Sequence, residues 1–110
     1  MVIKNLVLPR IASFQFGDEP MNFGEPASVQ CTLSAGDWPI NVTWMFNGVD
    51  IPPQLNVVTT KFTKHIYVLA IESVSEKNAG NYTCIAQNKA GKAVHTANLT
   101  VIGLFYISVI

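Results

Sequence analysis

Cys31 and Cys84 are the residues of this chain best equipped for covalent chemistry, and no third thiol competes for either. They stand 53 positions apart with Trp44 between them, and Tyr82 precedes the second by two residues. That spacing suits a disulfide joining the central strands of two stacked sheets, with Trp44 packed on the sulfurs. Tyr82 fits a buried corner whose hydroxyl returns to the backbone just upstream, and Gly80 gives the chain the turn it needs there. A closed bridge over this span would stabilise the fold by roughly 4 kcal/mol on the loop-entropy account. Two cysteines with none to spare favour an intramolecular bond and an oxidising compartment outside the cytosol. The alternative is a pair of free cytosolic thiols flanking aromatics placed by chance.

Three Asn-X-Thr triplets carry a second kind of chemistry, transfer of a glycan to an amide nitrogen: Asn41-Val42-Thr43, Asn81-Tyr82-Thr83 and Asn98-Leu99-Thr100. Elsewhere the reactive inventory is thin. His65 and His95 are the only histidines and lack the spaced Cys, His or carboxylate companions of a zinc site. Asp18 and Glu19 form the nearest acidic cluster, but calcium asks for six to eight oxygens and two turn carboxylates are more often solvated. Neither a Ser, His, Asp constellation nor a phosphate-cradling glycine loop is present. The reading is of a protein that is not an enzyme, with no metal and no cofactor.

Composition narrows the partners. The chain has 110 residues, room for one domain, and 49% of them are hydrophobic against 13% charged. That excludes a disordered chain and a nucleic-acid binder with a basic stripe. Seven basic and seven acidic residues cancel, so no long-range field recruits a charged partner, and no net repulsion keeps two copies apart. The apolar ends do not read as domain. Residues 1–8 lack a small-residue cleavage site and make a poor signal peptide. Residues 101–110 are too short to span a bilayer, which takes about 20 residues. Both are read as fragment boundaries, 1–8 and 103–110 falling outside a domain of 9–102. A final strand extended by Phe105 and Tyr106, or the start of a truncated membrane helix, are the alternatives.

Period-two alternation between turn signals recurs along the chain, and no helical stripe competes with it. The expected strands are 10–16 and a short piece at 21–24, then 27–33, with Ala27, Val29, Cys31 and Leu33 inward. Next comes 41–46, with Val42, Trp44 and Phe46 inward, closed by the turn signal Asn47-Gly48. Strands at 55–61 and 64–72 follow, the second with Tyr67, Leu69 and Ile71 inward. The last two are 81–87 and, after the turn Asn88-Lys89-Ala90-Gly91, 92–102 with Ala97, Leu99 and Val101 inward. Little room remains between Gly48 and Asn56 for extra strands. The fold class is therefore all-β: an immunoglobulin-like sandwich of the intermediate (I-set) type, two antiparallel sheets with one inter-sheet disulfide and Trp44, Tyr82 and Leu69 in its core.

The stretch from Gly80-Asn81-Tyr82 through Cys84-Ile85-Ala86-Gln87-Asn88-Lys89-Ala90-Gly91 resembles the intermediate-set domains of cell-adhesion molecules. More narrowly, Ala35-Gly36-Asp37-Trp38-Pro39-Ile40 with Val42-Thr43-Trp44, together with Pro9-Arg10-Ile11 and Gly24-Glu25, resembles the Dscam family over residues 9 to 102. The likeness is to its arthropod alternative-exon variable domains, such as the seventh domain of insect Dscam or the first of the shortened arachnid forms. The family usually carries Asp where Asn78 stands, so a carboxylate partner for Lys61 is missing and the tyrosine corner is expected to be weaker. The resemblance implies homophilic matching: an identical isoform on an opposing cell as partner, in an antiparallel two-fold dimer, on the extracellular part of a membrane receptor with neighbouring domains. Nucleic acid and membrane contact by the domain itself are not expected.

Alternation places that function on one sheet. Val42, Tyr82 and Leu99 point inward, so Asn41, Asn81 and Asn98 point outward, all on strands of one sheet that glycans would cover. The other sheet has no sequon. There Ile66, Val68 and Ala70 face out beside Ser28, Gln30 and Thr32, and these six with Lys64 form the expected homophilic interface. Outward Ile and Val fit plain strand propensity or a protein-binding patch with a polar rim. Lys61 and Lys64 could pair reciprocally with Glu72 across the two-fold axis. The competing functions are a binder of another ligand or a pathogen surface through the loops around Asp37-Trp38 and Asn88–Gly91, where Trp38 is either exposed or packed on Pro39, and a structural spacer.

Overall fold

Along one strand, Ala27, Val29, Cys31 and Leu33 are buried while Ser28, Gln30 and Ser34 face water, the alternation of a strand covered on one face only. The computed structural model describes residues 5–103 and builds on this pattern throughout. Its strands are β1 (Arg10–Ile11), β2 (Met21–Asn22), β3 (Ala27–Ala35), β4 (Asn41–Phe46) and β5 (Val49–Asp50), followed by β6 (Val57–Thr63), β7 (Ile66–Ile71), β8 (Gly80–Asn88), β9 (Gly91–Leu99) and β10 (Val101–Ile102). One antiparallel sheet runs β1-β3-β7-β6 and the other β5-β4-β8-β9, while β10 pairs with β2 in parallel at the margin. The alternative of a last strand prolonged by Phe105 and Tyr106 falls outside the described residues.

The Cys31–Cys84 disulfide joins β3 to β8, with Cα atoms 6.3 Å apart and both residues fully buried. Around it Leu69, Ile71, Tyr82, Val74 and Leu99 are inaccessible or nearly so, and Trp44, half-buried beside Cys84 in register, packs against that cluster. Leu33, Ile40 and Ala86 form a smaller cluster. Asn47 and Gly48, at φ 49° and 82°, supply the two positive dihedrals of the tight turn between β4 and β5, a twist that suits a right-handed hairpin.

Several expectations move. β5 forms at Val49–Asp50, between Gly48 and Asn56, where little room for extra strands was expected. The last strand, expected over 92–102, ends at Leu99, with Val101–Ile102 pairing separately with β2. The first strand was expected over 10–16, yet pairing ends once Ala12 N donates to Thr32 O, because Phe14 turns inward against the Trp44 and His95 rings at 5.7 and 4.3 Å. The strand expected from 55 starts at Val57, since Pro53–Leu55 makes one 3-10 turn that buries Leu55 and ends at Asn56 in the left-handed region. The strand expected from Lys64 starts at Ile66, because Thr63 Oγ1 accepts from His65 N at 3.1 Å and makes Lys64-His65 a turn.

Candidate functional site

The central strand of the first sheet, β7, sets out the candidate face. Its inward residues Leu69 and Ile71 are buried, which forces Ile66, Val68 and Ala70 to the opposite side. Register fixes their neighbours: Ser28, Ala70 and Val58 lie in one row, Gln30, Val68 and Thr60 in the next, and Thr32, Ile66 and Thr63 in the third. Ser28 and Gln30 are exposed, while Thr32, Ile66, Val68 and Ala70 are half-covered by each other and their flanks. The structure thus brings six of the seven expected interface residues onto one surface. Lys64 is set apart, in the β6–β7 turn with its ammonium 5.3 Å from the centre of the Trp38 ring.

One member of the face, Val58, and an exposed ring on its edge strand, Phe62, were missed. Val58 is 61% exposed and Phe62 72%, both on β6, the strand edging this sheet. Val58 was legible, since alternation from an inward Val57 turns it out. Phe62 was not, because it is the extra residue of a bulge between Lys61 and Thr63, and a bulge breaks the two-residue rule. Beside Val58 the surface dips into a shallow depression lined by Pro26, Ala27, Ser28, Ala70, Ile71 and Glu72.

On the opposite sheet Asn41, Asn81 and Asn98 are all exposed, on β4, β8 and β9. Thr100 Oγ1 donates to Asn98 Oδ1 at 3.0 Å, and Thr83 and Thr96 share a hydroxyl hydrogen bond of 2.8 Å. The corner beneath them is complete. Tyr82 OH donates to the buried Asn78 carbonyl at 2.7 Å, and burial raises its phenol above the ordinary value, with the Asn78 side chain acting the other way. Asn78 compensates for the missing carboxylate with its own amide. Its Oδ1 accepts from Ser75 N and Ser75 Oγ at 2.8 and 3.2 Å, and its Nδ2 donates to Leu55 O at 2.9 Å. The expected weakness of the corner is met by this set of hydrogen bonds, which needs no partner from Lys61.

At the end of the sandwich, Asn88 ties three segments together. Its Oδ1 accepts from Ala90 N and Gly91 N, and its Nδ2 donates to Val7 O and Asp37 O. Val7 N in turn donates to Asp37 Oδ2 at 2.7 Å, so contacts with the sheets begin upstream of β1. Trp38 is 41% exposed, its ring edge-on to His65 at 5.5 Å. His95 sits beneath Phe14, with its Nε2 2.8 Å from the Phe14 carbonyl oxygen and 3.2 Å from the Phe14 amide nitrogen. Among the described residues no three of His, Cys, Asp and Glu gather as a metal ion would require.

The immunoglobulin I-set domain model matches residues 14–101. The cell adhesion molecule Dscam1 of Drosophila melanogaster is 32% identical over 100 residues, covering 90% of this chain and 5% of its own length. Human cell adhesion molecule DSCAML1 is 38% identical over 95 residues, covering 86% of the chain and 4% of its own. The chain thus spans about a twentieth of the curated relatives it matches. A crystal structure of the Dscam1 Ig7 domain, isoform 5, superposes with a TM-score of 0.81 at 40% identity, over 86% of this chain and 96% of that one. Such domains are non-enzymatic and extracellular, in keeping with a buried disulfide between sheets. The chain is an I-set immunoglobulin domain of the Dscam family of cell-adhesion molecules.

Proposed function

We propose that this domain mediates homophilic recognition between opposing cells, through the outer face of the β1-β3-β7-β6 sheet laid against the same face of an identical isoform. The observation that carries the reading is the contiguous apolar surface of Val58, Ile66, Val68 and Ala70 on the sheet without sequons, rimmed by Ser28, Gln30, Thr32 and Thr60, with the exposed Phe62 ring on its edge strand. An apolar centre with a polar rim is the make-up of a protein interface. On the other sheet the exposed apolar residues Val49 and Val94 stand on the two edge strands, β5 and β9, and the Asn41 and Asn81 sequons lie on the strands between them. A two-fold axis makes every contact occur twice, so small changes at Gln30, Thr32 or Val68 are doubled in the dimer and discriminate isoforms.

Replacing Val68 by Asp places two carboxylates at the centre of such a dimer. Self-association in sedimentation equilibrium, and clustering of beads coated with the domain, should both be lost while the far-ultraviolet spectrum stays that of the wild type. Beads report weak pairing that becomes measurable only when many contacts act together. Undiminished clustering of the Val68→Asp beads would refute the reading. A heterophilic binder is the second reading, favoured by the exposed Trp38 with Lys64 and His65 beside it. It requires Trp38→Ala, and not Val68→Asp, to abolish adhesion of cells displaying the domain.

A further inference from the structure

Two of the three sequon asparagines are not independent. Asn81 and Asn98 are direct partners in the β8–β9 ladder, and Asn98 Nδ2 donates to Asn81 Oδ1 at 2.9 Å. Directly opposed residues on one face have Cβ atoms only about 4.5–5.5 Å apart, less than the breadth of a sugar ring with its hydration. The amide nitrogen is the atom a glycan must take. On Asn98 it is engaged with Asn81, and Thr100 Oγ1 holds the other end of the same amide at 3.0 Å. Asn98 also borders the clefts between β9 and the segment Gln15 to Pro20, so it is hemmed from that side as well. Asn81 has only its carbonyl oxygen engaged by Asn98, which turns its nitrogen away from the pair.

We infer that this pair carries a single glycan, on Asn81, and that in the folded domain the Asn98 amide is kept unmodified as the hydrogen-bond support of its glycosylated neighbour. Order of synthesis works in the same direction. Asn81 emerges first and is open to transfer before its partner exists. When Asn98 follows, β3, β4, β7 and β8 are already made, and β9 needs only the two-residue turn Lys89-Ala90 to pair. Hairpins close in about 1–10 μs, whereas synthesis adds about 5–20 residues per second. Pairing can therefore sequester Asn98 before its sequon is read. The inference rests on passage through the secretory route and not on self-pairing of the opposite sheet.

The test is site-resolved peptide mass spectrometry of the whole chain, secreted from insect cells behind a leader, after enzymatic deglycosylation in water labelled with oxygen-18. The wild type should show Asn81 marked and Asn98 unmarked. Marks on both sites in one molecule, on Asn98 alone, or on neither would overturn the inference. Asn81→Ala then removes the partner and should raise Asn98 occupancy severalfold. If Asn98 stays empty in that variant, the Asn98 sequon is merely a poor acceptor and the exclusion by pairing is refuted. Failure of either arm leaves bead clustering unaffected, so it is separable from failure of the homophilic reading.

Discussion

Removing the Tyr82 hydroxyl tests the corner on which β8 depends. Tyr82→Phe keeps the ring, which is fully buried and lies 4.9 Å from Phe46 and 5.4 Å from Phe16 between centroids, and deletes only the donor to Asn78 O. The carbonyl is then left buried without that donor. Orphaning a buried backbone acceptor costs about 1–3 kcal/mol. For a domain of this size each kcal/mol moves Tm by about 4–8 °C, so a fall of about 4–24 °C is expected. The sign with pH is fixed by the same burial. The folded phenol is raised above its ordinary value of about 10, so the folded state holds the proton more tightly than the unfolded chain. The contribution is present in full below about pH 10 and is lost as pH rises through the folded value. Urea unfolding followed by tryptophan fluorescence should thus show the gap between wild type and Tyr82→Phe constant at neutral pH and narrowing above about pH 10. A neutral-pH gap below about 0.5 kcal/mol, or one that widens in alkali, would refute the reasoning.

Phe62→Ser should leave stability within about 0.5 kcal/mol, because the ring is 72% exposed, yet weaken bead clustering by about tenfold if the bulge presents an anchor to the partner. Gly80→Ala should destabilise by about 2–4 kcal/mol in thermal melts, through strain and overpacking together. A Cβ there would sit 2.7 Å from Phe46 Cε1 and 2.8 Å from Asn47 Oδ1, at a φ of +152° that side chains rarely adopt.

Most of the sandwich was legible because its determinants are local or nearly so. Alternation in 27–33 named every inward residue of β3, and the Cys31, Trp44, Tyr82, Cys84 spacing located the two central strands. What escaped depends on contacts between distant segments. Phe14 leaves the first strand because His95, 81 positions on, offers its backbone a hydrogen-bonding nitrogen and its ring a stacking face. Lys64 leaves the face because the Thr63 hydroxyl closes a turn there and Trp38 attracts its ammonium. Asn78 reads as the loss of a charge from the family pattern, although its amide supplies a donor that a carboxylate at neutral pH lacks, and Leu55 O uses it. None of these follows from periodicity, since each is a choice between partners that only the folded chain brings together.

The division of labour along β7 explains how such a domain can tolerate change on the face proposed for recognition. Leu69 and Ile71 are 0% and 2% exposed, and a large-to-small change at either would cost about 2–5 kcal/mol, most of the margin of a domain this small. Ile66, Val68 and Ala70 stand in rows with Ser28, Gln30, Thr32, Val58, Thr60 and Thr63 on β3 and β6, neighbours that lie outside the core. Substitution in these rows therefore costs less than in the core, about 0.2–1 kcal/mol for each cross-strand pair changed. In a two-fold dimer the same substitution enters the interface energy twice. Under the proposed homophilic reading, stability and self-matching would then be set by alternate residues of one strand, and isoforms differing in these rows would keep one fold while differing in partner.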